Sequence, residues 1–600
     1  MIRKLMNILQ NNPYSVFLKS LADVPELANF YIALKCDSGL DQRVYNLLTA
    51  SEVAAIMVEE GVHISTPHIR IYTHSNKSQL VNYYYGCYDP LQYPLLFPYG
   101  QDGWHCGIKK IVQPKNTTRC RVYYEHENLP SVANMCSIEN FLDMEAQVLE
   151  QQRKKRNIFS YREYYCYKIQ IRDDETDEIL HTGRVFQQYI VDVFIKLETQ
   201  RLNFFSFNPE FFRIEVLQGI LDVLRQGERD ASRIGKQTFL PVTFTGGPRD
   251  MRQRYMDAIS LVQRFGIPDL FLTMTCNPLW LEIKEYLLST DEAQNRLDLI
   301  SRVFRAKLEE LKNDILKRNI FGKVVTFMYT VEFQKRGLPH AHFLIILANE
   351  YILLTPESYG RVVCAELPDP DKEPYLYSLV VHYMMHSLCG HLNPANSCMQ
   401  NGYCKFNYPK ILLIEHQKEK TVIHEAIKIR EQFLDNSWMV PYNTFLLGKF
   451  NCHMNIKICS DIKIVMYLYK YICKGHDKIS FSIHDNDKDK EIDEIKEYQF
   501  ARWVSPPKDI RYLFGFSISE MTPSVYHLQL YLEGQQYVSF KITKSINAIL
   551  KKFMIRKTML TDLFVMNQID DYAIELKQLN KEIPEYFVWL VTDKTWTRRK

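Results

Sequence analysis

Two histidines, His340 and His342, stand two positions apart, and the segment before them carries Glu332 and Gln334 at the same spacing. On a β-strand, residues two positions apart point to the same face of the sheet. A tight turn at Arg336-Gly337 would fold the two segments into a hairpin and bring Glu332 or Gln334 beside the histidines. Two imidazoles and one oxygen ligand can share a metal ion and leave coordination positions open for a phosphate group. The alternative is a pair of hydrogen-bonded histidines in a sheet without a metal.

A second pattern is the run of tyrosines Tyr467, Tyr469 and Tyr471, which Gly475 closes. In a helix, Tyr467 and Tyr471 lie one turn apart on the same face, and Tyr469 points away. In an extended segment, all three tyrosines share a face and would form a stacking platform for bases. The glycine favours the helix, because glycine commonly follows the last helical residue. Tyrosines that only pack in a core are the structural alternative.

The tyrosines and the histidine pair together predict one reaction. A phenol with a pKa of about 10 is a weak nucleophile at neutral pH, but a divalent cation such as Mg²⁺ or Mn²⁺ polarises a phosphate and neutralises the developing charge. Attack by Tyr467 or Tyr471 would give a covalent phosphotyrosine, which stores the bond energy for a later rejoining step. Lys474, near Tyr471 on a helix, would steady a phosphate oxygen. Two nucleophiles would let one protein hold two strand ends in succession.

A third group of residues could hold structural zinc. Cys389, His391, Cys398 and Cys404 lie within sixteen residues, among glycine, proline and asparagine. Thiols and imidazoles are the ligands of structural zinc sites, and His382 or His386 could join the set. The spacing of the three cysteines matches no standard zinc pattern, so buried free cysteines are an equal alternative.

The elements that must position these residues follow from the apolar pattern. We predict an α+β fold in which a strand, a helix and a hairpin build an antiparallel sheet. The proline-rich segment Tyr88–Gly100 should be an ordered, packed loop. The predicted strands are Ile69–Tyr72, Leu270–Thr275, Lys323–Phe333 and His340–Ala348, and the predicted helices are Phe186–Arg201, Met251–Phe265 and Leu297–Lys317.

The composition is that of a folded protein of three or four domains, with 600 residues, 46% apolar and 24% charged. The net charge of +4 is too small to establish nucleic-acid binding, which depends on a local groove. We expect no signal peptide and no membrane span, and therefore reduced thiols or metal ligands among the 14 cysteines. The nucleus or the cytoplasm is the expected compartment, and the basic run Arg153–Arg156 is either a nuclear-import signal or a solvated helix face.

These motifs resemble the nuclease region, also called the helicase-like N-terminal region, of Helitron-type rolling-circle transposases. These transposases belong to the His-hydrophobic-His endonuclease superfamily. The resemblance covers roughly residues 88–599, and its motifs occur in the family's order. It rests on Tyr88–Trp104, Leu240–Gly246, Phe271–Pro278, His340–His342, Pro441–Asn443 and Tyr467–Gly475.

The resemblance implies a ferredoxin-like core with a five-stranded sheet, and nicking and strand transfer of single-stranded DNA at transposon ends through 5′-phosphotyrosine intermediates. It implies that His340, His342 and Gln334 bind Mg²⁺ or Mn²⁺, with Glu332 in reserve, and that Tyr467 and Tyr471 are the nucleophiles. We divide the chain into an N-terminal DNA-binding region (1–150), a helical connector (151–236), the nuclease core (237–480) and a C-terminal α/β region (481–600). Tyr93, Phe97 and Trp104 could stack on bases or pack in a loop.

The family's helicase is missing from this sequence, because no Gly-x-x-x-x-Gly-Lys-Ser/Thr phosphate loop occurs in it. We therefore expect no ATPase activity from this chain, which is a fragment, a truncated copy, or a protein that uses a helicase from another chain. The alternative function is a catalytically inactive, transposon-derived protein that binds single-stranded nucleic acid. Metal dependence of the reaction distinguishes the two.

Overall fold

The computed structural model of the protein describes residues 2–20, 52–54, 68–73, 78–105, 108–110, 158–172, 178–207, 213–216, 240, 244–333, 337–410, 427–429, 432–459, 495, 498, 505–525, 537–540, 559–576, 582–590, 593 and 595–599. Every structural statement below concerns these residues.

The helices are interspersed with strands along the chain. They are α1 (Ile2–Ile8), α2 (Pro13–Ser20), α3 (Tyr88–Gln92), α4 (Tyr161–Lys168), α5 (Arg184–Phe207), α6 (Pro248–Phe265), α7 (Leu281–Lys284), α8 (Leu297–Leu316), α9 (Pro356–Val362), α10 (Pro374–Tyr383), α11 (Thr444–Phe450), α12 (Pro506–Phe514), α13 (Met559–Ile569), α14 (Asp571–Leu576) and α15 (Ile583–Tyr586).

The strands form one large sheet and several small ones, all of them antiparallel. They are β1 (Glu52–Ala54), β2 (His68–Thr73), β3 (Ser78–Asn82), β4 (Arg213–Val216), β5 (Leu270–Thr275), β6 (Val324–Phe333), β7 (Pro339–Leu347), β8 (Met399–Gln400), β9 (Tyr403–Cys404), β10 (Ile427–Ile429), β11 (Gln432–Leu434), β12 (Met454–Ile458), β13 (Ser519–Thr522), β14 (Tyr537–Phe540), β15 (Phe587–Leu590) and β16 (Thr595–Arg598).

The large sheet has five strands in the order β12-β5-β7-β6-β13. Four of them, taken in chain order, give the spatial order 4-1-3-2 of a ferredoxin-like fold, and β13 adds a fifth strand at one edge. Helix α8 lies between β5 and β6 in the chain, and β6 and β7 pair as the predicted hairpin. The turn requires Gly337, whose φ of 90° is one that side chains with a Cβ rarely adopt. The α+β class and the antiparallel sheet are confirmed.

One face of this sheet is apolar and packs on α8. The apolar residues of α8 recur at three- and four-residue spacing, so they form one stripe on the helix. That stripe consists of Ile300, Phe304, Leu308, Leu311 and Ile315, and it is buried against alternate strand residues that include Leu272, Met274, Tyr329, Ala341 and Phe343. The core therefore fixes the register of β5, β6 and β7, since a shift of one residue would turn every side chain to the opposite face.

The proline-rich segment is packed as predicted, but it begins with a helix, α3, and the prediction of a loop throughout was wrong there. Pro90 lies in the first turn of α3, where backbone N–H groups have no intrahelical acceptor, so the missing donor costs little. Of the two alternatives for Tyr93, Phe97 and Trp104, their burial supports packing and not base stacking. They belong to an aromatic core with α4 and α5.

The chain divides into two compact units, and each consists of separate stretches of sequence. The first comprises residues 1–200, 262–472 and 504–522, and the second comprises residues 201–261, 473–503 and 523–600. Strand β13 belongs to the large sheet although it follows the predicted end of the nuclease core at residue 480. The second unit has its own small core, in which Leu563, Ile583, Phe587 and Trp596 are buried.

Most sequence-predicted elements are confirmed with ends displaced by a few residues, because helix and strand termini carry the weakest periodic signal. Strand β5 begins and ends at the predicted residues, whereas α5 extends beyond the prediction at both ends. The nine cysteines that the described ranges include are free thiols. Among the described helices, none combines the length and the apolar character that a membrane crossing needs.

Candidate functional site

The histidine pair lies on the polar face of the large sheet, opposite α8. Along β7, Pro339, Ala341 and Phe343 are buried, whereas His340 and His342 between them are partly exposed. This alternation follows from the two-residue period of a strand. The two imidazole rings are parallel to within 3°, with centroids 6.3 Å apart. The predicted common face is therefore observed for both histidines.

Two threonines on the neighbouring strand β5 hold the two rings. Thr273 is the register partner of His342, and Thr275 is the partner of His340. The Thr273 Oγ1 lies 3.0 Å from His342 Nδ1, and the Thr275 Oγ1 lies 2.9 Å from His340 Nδ1. When a hydroxyl accepts the Nδ1–H proton, the Nε2 nitrogen of the same ring keeps its lone pair. In that tautomer, both histidines present the Nε2 lone pair, as in metal sites whose ligands are fixed by outer hydrogen bonds.

A third histidine, His453, lies next to the pair. Its Nδ1 is 3.4 Å from Thr275 Oγ1, and its carbonyl oxygen accepts a 3.0 Å hydrogen bond from the backbone N–H of Thr275. The hydroxyl of Thr275 therefore stands between His340 and His453. The sequence alone does not connect His453 with His340 and His342. The segments that carry them are more than one hundred residues apart and meet through the pairing of β12 with β5.

Glu332 places a carboxylate group on the same face. It is the register partner of His340 on β6, and its Oε2 lies 3.5 Å from His342 Nε2. The other predicted oxygen ligand, Gln334, lies outside the described residues. The structure thus brings His340, His342 and Glu332 together.

Burial keeps His340 uncharged at neutral pH. The pKa of His340 is lowered to about 4, chiefly by loss of solvent and also by the charges of His342 and His453, while Glu332 opposes the change. Its Nε2 is buried and has no hydrogen-bond partner among the described residues. A buried nitrogen with a lone pair and no donor is costly unless a cation occupies the space in front of it. The residues present therefore fit a bound metal ion.

The predicted nucleophiles and their lysine cannot be placed relative to this face. Tyr467, Tyr471 and Lys474 lie outside the described residues, as does the basic run Arg153–Arg156. The described chain reaches Cys459 after β12, eight residues before Tyr467. Their roles stay predictions from the sequence.

A separate cluster of metal-ligating residues lies after α10. The side chains of His386, Cys389, Cys398 and Cys404 place their ligand atoms within 4.8 Å of one another. All three cysteines are buried. One imidazole and three thiols are a ligand set of structural zinc sites. This cluster could therefore bind a metal ion such as zinc. Within the described residues, it is the group of at least three closely spaced His, Cys, Asp or Glu side chains that could hold a metal ion.

The fourth ligand differs from the one favoured by sequence. His391, which we included in the set, is exposed in a short helical turn, Gly390–Leu392, and is not a member of the cluster. His386, named as a further candidate, takes that place, with its Nε2 3.5 Å from Cys404 Sγ. The spacing of His386 and Cys389, with two residues between them, is the signal in the sequence that identifies the ligand, because this spacing is typical of zinc sites.

One family comparison supports a relation to Helitron proteins. Residues 164–345, slightly less than a third of the chain, match the model of the Helitron helicase-like domain at N-terminus. The matched segment includes β5, α8, β6 and both histidines of β7. It points to a transposon-related function with a nuclease or transposase role. A search of curated proteins found no match.

Proposed function

We propose that the protein nicks single-stranded DNA and transfers the cut strand, with the polar face of the large sheet as its metal-dependent active site. The observation that carries this proposal is the pair of parallel, threonine-anchored histidines that present Nε2 beside Glu332. The Helitron-related match over the same strands supports it. The nucleophiles are Tyr467 and Tyr471, on the resemblance of their motif.

His340, His342 and Glu332 would hold Mg²⁺ or Mn²⁺, with Gln334 as a further oxygen ligand. The bound cation would supply charge neutralisation at the scissile phosphate. Two nitrogen ligands suit Mn²⁺ better than Mg²⁺, which prefers oxygen ligands. We therefore expect Mn²⁺ to support the reaction at lower concentration than Mg²⁺.

The tyrosine step breaks one ester bond and forms another. The hydroxyl oxygen of Tyr467 or Tyr471 attacks the phosphorus atom, the bond from phosphorus to the 3′ oxygen breaks, and the freed 3′ oxygen ends as a hydroxyl group after it takes up a proton. The 5′ phosphate stays on the tyrosine. Attack by a 3′ hydroxyl on this phosphotyrosine reverses the step and rejoins a strand, so no ATP is required. Lys474 would neutralise part of the phosphate charge.

A denaturing gel with 5′- and 3′-labelled single-stranded DNA tests the proposal. We expect a protein–DNA adduct that requires Mn²⁺ or Mg²⁺ and is absent from His340→Ala and from the double variant Tyr467→Phe/Tyr471→Phe. The matched controls are His391→Ala, which removes an exposed histidine, and Tyr469→Phe, which removes the hydroxyl of the tyrosine between the pair. Tight DNA binding without an adduct under any metal, on sequences that span transposon ends, would reject the nuclease and favour the inactive binding protein.

A further inference from the structure

We propose that His386, Cys389, Cys398 and Cys404 bind one structural Zn²⁺, and that the ion holds a β-hairpin whose exposed aromatic residues stack on the bases of single-stranded DNA. The DNA part of this inference rests on the proposed function, because it assigns a binding surface for the same substrate. The hairpin consists of β8, β9 and the turn Asn401-Gly402.

One distance in the cluster matches tetrahedral zinc, and all four ligand atoms lie within 4.8 Å of one another. Bond lengths of about 2.3 Å to sulfur and about 2.0 Å to nitrogen place these two kinds of ligand atom about 3.5 Å apart around a tetrahedral ion. The observed distance from Cys404 Sγ to His386 Nε2 is 3.5 Å. The N–H of Phe406 also points to Cys404 Sγ at 3.4 Å, which would stabilise a thiolate. Four ligands leave no open position, as in structural zinc sites.

The segment around the hairpin needs such an ion because it has little apolar core. Its buried residues are the three cysteines and Trp438, with four partly buried neighbours. So small a core seldom stabilises a fold without a metal or a disulfide. A zinc ion would connect the hairpin to the segment that contains His386. That segment pairs in turn with residues 436–440, because the backbone N–H of His386 donates a hydrogen bond to the carbonyl oxygen of Trp438.

Two aromatic side chains on this segment are directed to solvent. Tyr403 is 80% exposed and Phe406 is 56% exposed. The turn between the strands has positive φ at both Asn401 and Gly402, the conformation of a two-residue hairpin turn, so the position of Tyr403 is defined by the backbone. Rigid, exposed aromatic rings are the usual stacking elements of proteins that bind single strands.

The charge of the surrounding sequence fits a polyanion. Residues 374–414 contain no aspartate or glutamate, in a chain with 70 acidic residues among 600. Lys405 and Lys410 are exposed on either side of Phe406. Bound Zn²⁺ would reduce the charge of three thiolates from three negative charges to one, which keeps the phosphate backbone from being repelled. Aromatic and cationic groups together favour single-stranded DNA over an apolar protein partner.

The first test measures zinc in the full-length protein. Elemental analysis should give one zinc per chain for the wild type, and Co²⁺ in its place should give the absorption of tetrahedral thiolate coordination. Cys398→Ser should lose the metal, whereas His391→Ala should retain it. A wild-type protein without zinc, and without the cobalt spectrum after reconstitution, would overturn the proposal even if the cysteine variant does not fold.

The second test measures binding of labelled oligo(dT) by fluorescence anisotropy, with the folded, zinc-loaded protein. We expect Tyr403→Ala and Phe406→Ala each to weaken binding by about fivefold or more, Tyr403→Trp to retain it, and the control Tyr286→Ala, which removes a tyrosine 55% exposed, to leave it unchanged. Unchanged binding by both alanine variants, or a larger loss for oligo(U) than for oligo(dT), would overturn the assignment.

The two proposals can fail separately. If the wild type forms the tyrosine adduct and Tyr403→Ala binds DNA normally, the hairpin inference is wrong and the proposed function stands. If Tyr403→Ala loses binding and the wild type never forms an adduct, the nuclease proposal is wrong and the hairpin inference stands.

Discussion

The two groups of metal-ligating residues in this protein differ in how they are built. The histidines of β7 are positioned by a five-stranded sheet and a full apolar core, and they offer two nitrogens and one carboxylate on a polar face. The Cys/His cluster offers four ligands within 4.8 Å in a segment with little core of its own. The first site is held by the fold. The second would itself hold the fold around it.

The difference predicts which property each metal controls. Removal of a ligand from a site that the sheet already positions should affect metal binding and catalysis with little effect on stability. Removal of a ligand from a closed four-ligand site should affect stability first, because the binding free energy of a structural metal is also folding free energy.

The largest effect is expected from Cys404→Ser. Loss of the metal should allow the segment at 386–410 to unfold locally and should cost several kcal/mol, since removing a structural metal is among the most destabilising single changes. Limited proteolysis should then cut this segment first, and the thermal transition should broaden. Equal protease resistance of the variant and the wild type would show that the cluster does not hold its segment.

A smaller effect is expected from Thr275→Val, which removes the hydroxyl between His340 and His453 and keeps the shape of the side chain. Loss of such an outer hydrogen bond typically weakens metal affinity by about 10- to 100-fold. Titration with Mn²⁺, followed by adduct formation, should show this change, whereas the melting temperature should change little. Thr275→Ser, which retains the hydroxyl, is the control; equal loss in both variants would assign the effect to packing.

The stability of the sheet should depend on pH through His340. Its folded-state pKa of about 4 is below the ordinary value of 6.5, so the unfolded chain binds more protons between these pH values and stability falls as pH decreases through this window. The slope contributed by one such group is at most about 1.4 kcal/mol per pH unit. Chemical denaturation at several pH values should show a shallower slope for His340→Asn. If the free energy of unfolding has the same pH dependence in both proteins, His340 is not the group responsible.

The smallest effect is expected from His391→Ala. Because this side chain is exposed and outside the cluster, zinc content, thermal stability and adduct formation should equal those of the wild type. Loss of zinc from this variant would return His391 to the ligand set and reject the role of His386.

Apolar runs that end at turn residues make the sheet predictable. The sequence predicts the ends of β5, β6 and β7 to within about one residue, since each is a short, mainly apolar segment next to residues typical of turns. The edge strand β13 was not predicted, because four residues carry too little pattern, and the pairing of β12 with β5 is a contact between distant segments. The roles of Thr273, Thr275 and His453 depend on that register and could not be read from local sequence.

Residue type alone does not predict which aromatic side chains are buried and which are exposed. Tyr93, Phe97 and Trp104 are buried and Tyr403 is exposed, although all four stand in irregular sequence rich in glycine, proline or asparagine. Their burial depends on α4 and α5, which pack against the first three. The spacing of His386 and Cys389 indicates which histidine completes the Cys/His cluster, which the three cysteines alone do not.

The most direct test of the account is adduct formation by one protein sample after controlled metal removal. Dialysis against a mild chelator should abolish the adduct while one zinc per chain stays bound, and added Mn²⁺ should restore it in the wild type and not in His340→Ala. An adduct that survives loss of exchangeable metal, or one that returns equally in His340→Ala, would contradict the assignment of the histidine face as the active site.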